Sequence, residues 1–181
     1  MEFKAVAEGR RSIRKFTEEV PAKELITAVT ETAIKAPSWK NSQTVRYHAV
    51  YNAELKNRIA QEATFTFSKN RDNIGGAPVL MVATTVDGIS GYEPDGTPTT
   101  TKGSHWQSLD AGLSIQTFCL AAHEAGLGTV ILGIFNEAKV KEILGLPEGE
   151  SVSALIPVGY PAESPDPRPR KAVGEILTIH E

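Results

Sequence analysis

The sequence predicts an α+β fold built as a single domain over residues 1–181. Three observations carry that prediction. Helix-like and strand-like segments interleave without a clean βαβ rhythm. Residues 79–86 form a continuous apolar, β-branched run, the character of a buried central strand. Residues 109–125 are apolar on almost every side at helical spacing, which places them in the core or at a subunit interface. With 40% apolar residues the chain can build one sizeable core, and no linker or internal repeat divides it.

The elements follow in order. A first helix is expected over 21–36: Pro21 suits a first turn, Leu25, Ile26, Val29, Ala33 and Ala36 share one face, and Pro37 ends it. Residues 47–51 alternate loosely as a strand, and Asn52 can cap a short helix carrying Leu55 and Ile59. Residues 67–77 are polar and glycine-containing and read as a loop. After the 79–86 strand, residues 87–103 hold four Gly, two Pro and three consecutive Thr. They read as a long mobile loop, of the kind that often covers an active site. The 109–125 helix stops at Gly126 and Gly128. Residues 130–134 read as a short buried strand. Asn136 can cap a helix bearing Val140, Ile143 and Leu144, closed by Gly145. Residues 152–160 read as a strand, and 173–179 as a final strand reaching an edge or a partner subunit.

Composition removes several function classes. The net charge of −3 argues against nucleic-acid binding through a basic surface field. The longest apolar run is too short to span a bilayer, and charges break up every apolar run near the N-terminus, so no signal peptide or membrane contact is expected. One cysteine, Cys119, permits no internal disulfide, and the expected location is the cytoplasm.

Familiar motifs are missing. Gly126-Leu127-Gly128 follows a helix and stops it, so it is no dinucleotide turn; there is no phosphate-binding P-loop and no G-x-S-x-G elbow. The four histidines lack metal spacing. Cys119 and His123 share a helix face, but a buried cysteine beside an unrelated histidine is the simpler reading. Asp87, Glu93 and Asp95 do not follow the calcium-loop pattern and read as solvated carboxylates. Trp39 and Trp106 suit ligand stacking and ordinary packing equally.

Three separated segments do share a chemical character. Residues 10–16 (RRSIRKF) concentrate cations and a hydroxyl, residues 36–43 (APSWKNSQ) offer amide and hydroxyl donors, and residues 168–171 (RPRK) are basic again. Arginine forks match phosphate oxygens, and Asn and Gln amides match a heterocyclic edge. Together they would suit a ligand with a phosphate at one end and an amide-bearing ring at the other. On composition alone, solvated surface remains the leading account of the basic clusters.

The R-R-S-x-R-x-F start, the A-P-S-x-x-N-x-Q segment, the L-D-x-G-x-x-x-Q helix leading to A-x-x-x-G-L-G-T, and the G-Y-P ending followed by R-x-R resemble the nitroreductase family, in its order and across nearly the whole chain. The resemblance implies a central mixed or antiparallel sheet flanked by helices, in a homodimer with a large interface and shared flavin sites. It implies FMN as cofactor, NADH or NADPH as electron donor, and a small oxidising substrate, nitroaromatic or quinone-like in vitro. Ping-pong turnover would pass electrons through flavin N5. FMN phosphate and ring contacts fall on Arg10, Ser12 and Arg14, with Arg11 beside them. Ser38, Trp39, Asn41 and Gln43 would reach the flavin from the other subunit. Gln116 lies near the cofactor, the backbone of Ile131, Leu132 and Gly133 approaches its reactive edge, and Arg168 and Arg170 clamp the phosphate. No side chain is required as a nucleophile, because the cofactor carries the chemistry. The sequence departs from the family where Thr44 and Val45 follow Gln43, in place of a proline and a nearby aromatic. It departs again at 69–73, where only Asn73 is a candidate contact. Two alternatives stay open: a specialised dehydrogenase, dehalogenase or oxygen-using enzyme on the same fold, and a flavin-binding protein with little turnover.

Overall fold

The computed structural model describes residues 2–181. Four strands form one antiparallel sheet in the order β1-β2-β4-β3: β1 is Val45–Val50, β2 Val79–Val86, β3 Gly128–Thr129 and β4 Glu150–Gly159. Six helices accompany it: α1 Phe3–Gly9, α2 Lys23–Ala33, α3 Ala53–Glu62, α4 Ser68–Gly75, α5 His105–Glu124 and α6 Glu137–Leu144. The α+β expectation holds, and the sheet is antiparallel.

The run at β2 explains the layering. Side chains alternate across a strand, so Val79, Met81 and Ala83 face one side and Leu80 and Val82 the other. The first set joins Ile26 and Val29 of α2 and Ile115 and Phe118 of α5 in one core. The second joins Ile59 of α3, Ile74 of α4 and Val140 of α6 in another. Helices cover both faces, so the strand is buried along nearly its whole length although its neighbours run antiparallel.

Local signals place most boundaries. Asn52 accepts the Leu55 N–H at 2.9 Å and starts α3, and Asn136 accepts the Lys139 N–H at 3.2 Å and starts α6. Gly145 closes α6 in the left-handed region at φ 64°. The α2 helix ends at Ala33, short of the expected Ala36, because Pro37 disfavours helical geometry in the residue before it.

Three expectations are corrected. The segment 67–77 is largely helical: α4 buries Asn70, Asn73 and Ile74, and the Asn70 amide donates to the Ile134 carbonyl at 2.9 Å. Tertiary contacts hold this polar helix, so periodicity does not reveal it. The strand expected at 130–134 is β3, two residues earlier, followed by an isolated bridge from Leu132 to Leu155. The tail at 173–179 pairs with no strand of its own chain; it holds a 3-10 turn, Val173–Glu175, and is exposed. The 109–125 helix, expected in the core or at a subunit interface, is α5 and buries one face against the core. Leu109, Gly112, Leu113 and Gln116 form an exposed stripe opposite the core, with Leu109 48% and Leu113 38% exposed. The short α1, with Val6 alone buried, gave no sequence signal.

Candidate functional site

The N-terminal motif is stitched to the β3 side of the sheet. The Ile13 N–H donates to the Thr129 carbonyl at 2.9 Å, and Ser12 bridges Thr129. Glu163 accepts the Arg14 N–H at 2.6 Å and the Lys15 N–H at 3.2 Å. These contacts leave the Arg10 and Arg11 side chains around a cavity of about 560 Å³, with His123 and residues 161–165 on its other walls. Arg14 is exposed; its guanidinium touches only the Ser12 carbonyl, at 3.1 Å. Burial, then the Arg10 and Arg11 charges, hold the His123 imidazole below its ordinary pKa. Cys119 is buried, and its thiol is pushed up by that burial, so the simpler reading of the Cys119/His123 pair fits.

The second motif lies at the other end of α5. Residues 38–43 make a tight turn in which Lys40, Asn41 and Gln43 all take positive φ (45°, 55° and 49°). Such conformations cost about 1–3 kcal/mol each for non-glycine residues and persist where surroundings enforce them. Here the Gln43 N–H donates to Ser38 Oγ at 2.9 Å, and the Trp39 N–H donates to both carboxylate oxygens of Asp110, at 3.0 and 3.1 Å. Asp110 is 2% exposed and also accepts the Ser90 hydroxyl at 2.7 Å. One carboxylate therefore ties the second motif to the loop at 87–103.

That loop is folded back on itself. Glu93 accepts from Thr99 at 2.8 Å and from Lys40 at 3.1 Å, and these two contacts, the Thr99 bond foremost, hold its carboxyl below the usual range. Asp95 accepts from Thr97, and Asp87 from Gln107. The carboxylates are thus occupied locally, and no cluster able to hold a metal occurs among the described residues. Trp39 and Trp106 pack on each other with ring centroids 4.6 Å apart.

The remaining expected contacts are scattered. Gln116 and Ile131 line a larger cavity, about 790 Å³, between α5, the 87–103 loop and β4. The Leu132 side chain is buried, and its N–H and carbonyl both bond to Leu155, so Leu132 serves the core. The amides of Ile131 and Gly133 make no such bond among the described residues. Arg168 and Arg170 are exposed and contact no other described residue through a hydrogen bond or ion pair. Within one chain the first motif, beside His123, and the second, bonded to Asp110, lie at opposite ends of α5.

Comparison with known proteins decides the family. The family model described as "Nitroreductase family" matches residues 7–160. The chain belongs to the nitroreductase family. One relative, the NADPH-flavin oxidoreductase of Vibrio harveyi, is 30% identical over 176 residues, 96% of this chain and 70% of that protein. The crystal structure of NADPH:FMN oxidoreductase from Vibrio harveyi complexed with NAD+ superposes with a TM-score of 0.81 at 25% identity, covering 99% of this chain and 77% of that one. The iodotyrosine deiodinase of Thermotoga neapolitana is 23% identical and spans 95% of this chain and 94% of its own. The sequence pointed to these motifs but not to the residues that anchor them. Asp110, Ser90, Thr129 and Glu163 carry no pattern of their own; only the aspartate of the L-D-x-G motif pointed toward one of them.

Proposed function

We propose that this protein is an FMN-dependent NAD(P)H oxidoreductase whose flavin sites form between two copies of the chain. One observation carries the reading: the two expected halves of the site sit at opposite ends of α5. Arg10 lies with His123, and Trp39 bonds to Asp110. About 20 Å of helix axis separates Asp110 from His123, at roughly 1.5 Å per residue. Two copies packed through the exposed α5 stripe, running antiparallel, bring residues 38–43 of one copy toward Arg10–Arg14 of the other. An isologous contact of this kind is the commonest way for a soluble protein to dimerise.

The residues fit the cofactor chemically. Arg10, Arg11, Arg168 and Arg170 supply forks for a phosphate, the last two being unpaired among the described residues. Arg14 presents an exposed cation suited to the electron-rich edge of a reduced flavin ring. Asn41 and Gln43 offer amides, and the Ile131 and Gly133 N–H groups are uncommitted. Bound FMN supplies two-electron transfer between the nicotinamide and an acceptor. The chain binds the cofactor, orients its ring, and limits access through the 87–103 loop.

The test is anaerobic stopped-flow mixing of the flavin-loaded protein with NADH and with NADPH, followed by a panel of nitroaromatic and quinone acceptors. Fast bleaching and acceptor-driven recovery, with parallel-line kinetics, are expected. Absence of FMN after reconstitution sinks the proposal; tight FMN without bleaching supports a binding protein with little turnover. The deiodinase relative favours a second reading, reductive dehalogenation, which iodide release from 3-iodotyrosine by the reduced protein would support.

A further inference from the structure

His123 lies in the last turn of α5 and lines the cavity of about 560 Å³ that also takes in Arg10, Arg11 and Glu163. Its ring sits against the end of α1. A Cβ on Gly9 would lie 2.7 Å from His123 Nε2, so the missing side chain at Gly9 gives the imidazole its place. Neither the His123 ring nor the Arg10 guanidinium makes a hydrogen bond to a described residue. Arg11 Nη1 donates to the Glu8 carbonyl at 2.5 Å and to the Arg10 carbonyl at 2.9 Å. On the facing wall, Glu163 Oε1 accepts the Arg14 and Lys15 N–H groups. On α1, Lys4 and Glu8 pair with each other at 3.9 Å. On α5 itself Glu124 follows His123, and the buried Cys119 lies one turn earlier. The β3 strand brings no charged side chain.

A helix C-terminus ordinarily favours a protonated histidine. Here burial, then the Arg10 and Arg11 charges, hold the His123 imidazole below its ordinary pKa. An anion placed between the two guanidinium groups reverses that balance. It offsets their repulsion and offers an imidazolium N–H an acceptor. Resting on the FMN reading above, we infer that His123 is a third contact for the cofactor's phosphate and takes a proton from solvent as the phosphate enters. Imidazole and one proton give imidazolium; no other bond forms or breaks. Arg10 and Arg11 are charged at every working pH. His123 adds its charge only with the phosphate in place, so FMN affinity becomes proton-linked while riboflavin, which has no phosphate, stays outside the linkage.

The sign follows from that linkage. A pKa raised by binding strengthens binding below it, and the gain is lost as pH rises through the bound-state value. The test is calorimetric titration of the flavin-free protein with FMN and with riboflavin near neutral pH, in buffers of different ionisation enthalpy. The His123 ring is followed by NMR, its signal assigned by its loss in His123→Asn. The wild type is expected to take up protons with FMN and none with riboflavin. Above its second pKa, about 6, a phosphate monoester stays dianionic, so an FMN affinity falling about three- to sixfold from pH 7 to 8.5 reports the histidine. His123→Asn is expected to abolish both uptake and slope and to meet the wild-type affinity at pH 8.5. Gly9→Ala keeps every charge but displaces the ring; it is expected to shrink the uptake and serves as the test should His123→Asn fail to fold. FMN bound without proton uptake, or equal uptake with riboflavin, overturns the assignment and leaves the flavin reading standing. A protein that takes no FMN, yet whose His123 signal moves to the protonated position with inorganic phosphate, keeps the anion contact and overturns the flavin reading. No response to either ligand overturns both.

Discussion

Asp110 shows how much one side chain can decide. It is buried, it accepts the Trp39 N–H and the Ser90 hydroxyl, and it thereby holds two segments that are distant in sequence. Asp110→Ala strands both donors, a cost of roughly 2–4 kcal/mol. For a chain of this size, that lowers Tm by about 5–15 °C. Ser90→Ala removes a single bond and should cost about 1 kcal/mol, so the ratio of the two shifts in a thermal melt checks the hub. Tyr47 carries a different signature. Burial pushes its phenol up to about 12 despite the bond to Ser114. The folded state holds that proton more tightly than the unfolded chain, where tyrosine titrates near 10. Stability from Tyr47 is therefore complete below pH 10 and is lost as pH climbs from about 10 to 12, by roughly 2–3 kcal/mol. Denaturant midpoints that fall over that window in the wild type, and fall less in Tyr47→Phe, bear this out. Neither role was legible in the sequence, because Tyr47 read as an ordinary strand residue and Asp110 as one letter of a motif.

At the level of elements, legibility followed the source of the stabilising energy. Helices α3 and α6 were readable because their caps are local, in Asn52 and Asn136. The β2 strand was readable because burial on both faces favours the apolar run of residues 79–83. Helix α4 was not, since what holds it is an asparagine reaching Ile134 and three residues buried against other elements. The 87–103 loop falls between these cases. Its glycines announced a loop, but not that Gly91 is a contact point. A Cβ there would lie 2.4 Å from the Gly103 carbonyl and 2.9 Å from Trp106, at a φ of +88°. Gly91→Ala should pry the loop from α5 at a cost of about 1–3 kcal/mol. Hydrogen exchange should quicken across 87–104 well before it changes in β2; uniform quickening in both would contradict the loop's independence.

For the whole molecule, the exposed α5 stripe is the feature to test. The wild type should sediment as a dimer at micromolar concentration, with an interface above roughly 2,000 Å² in total. Leu113→Glu places a charge in the middle of the stripe, where Leu113 is 38% exposed in the single chain and should therefore be tolerated by the fold. The variant is expected to be a folded monomer whose FMN affinity drops at least about tenfold. A folded monomer with undiminished affinity would mean that one chain holds the flavin alone. The sequence supplied the three candidate segments but not their placement, since nothing in a motif reports that a 20-residue helix stands between two of them.

The stitching of the N-terminal motif also sets an order in time. The Arg14 N–H finds its acceptor in Glu163, 149 residues later, and Ile13 waits for Thr129. Contacts of such sequence separation form late, because the entropy of closing the intervening chain must be met first. Arg10, Arg11 and Arg14 are therefore expected to be fixed in place late in folding, after β3 and the segment behind β4. Refolding from denaturant in the presence of FMN should show helical circular dichroism recovering first and quenching of flavin fluorescence last. Simultaneous recovery of the two signals would place the N-terminal segment in the folding nucleus instead.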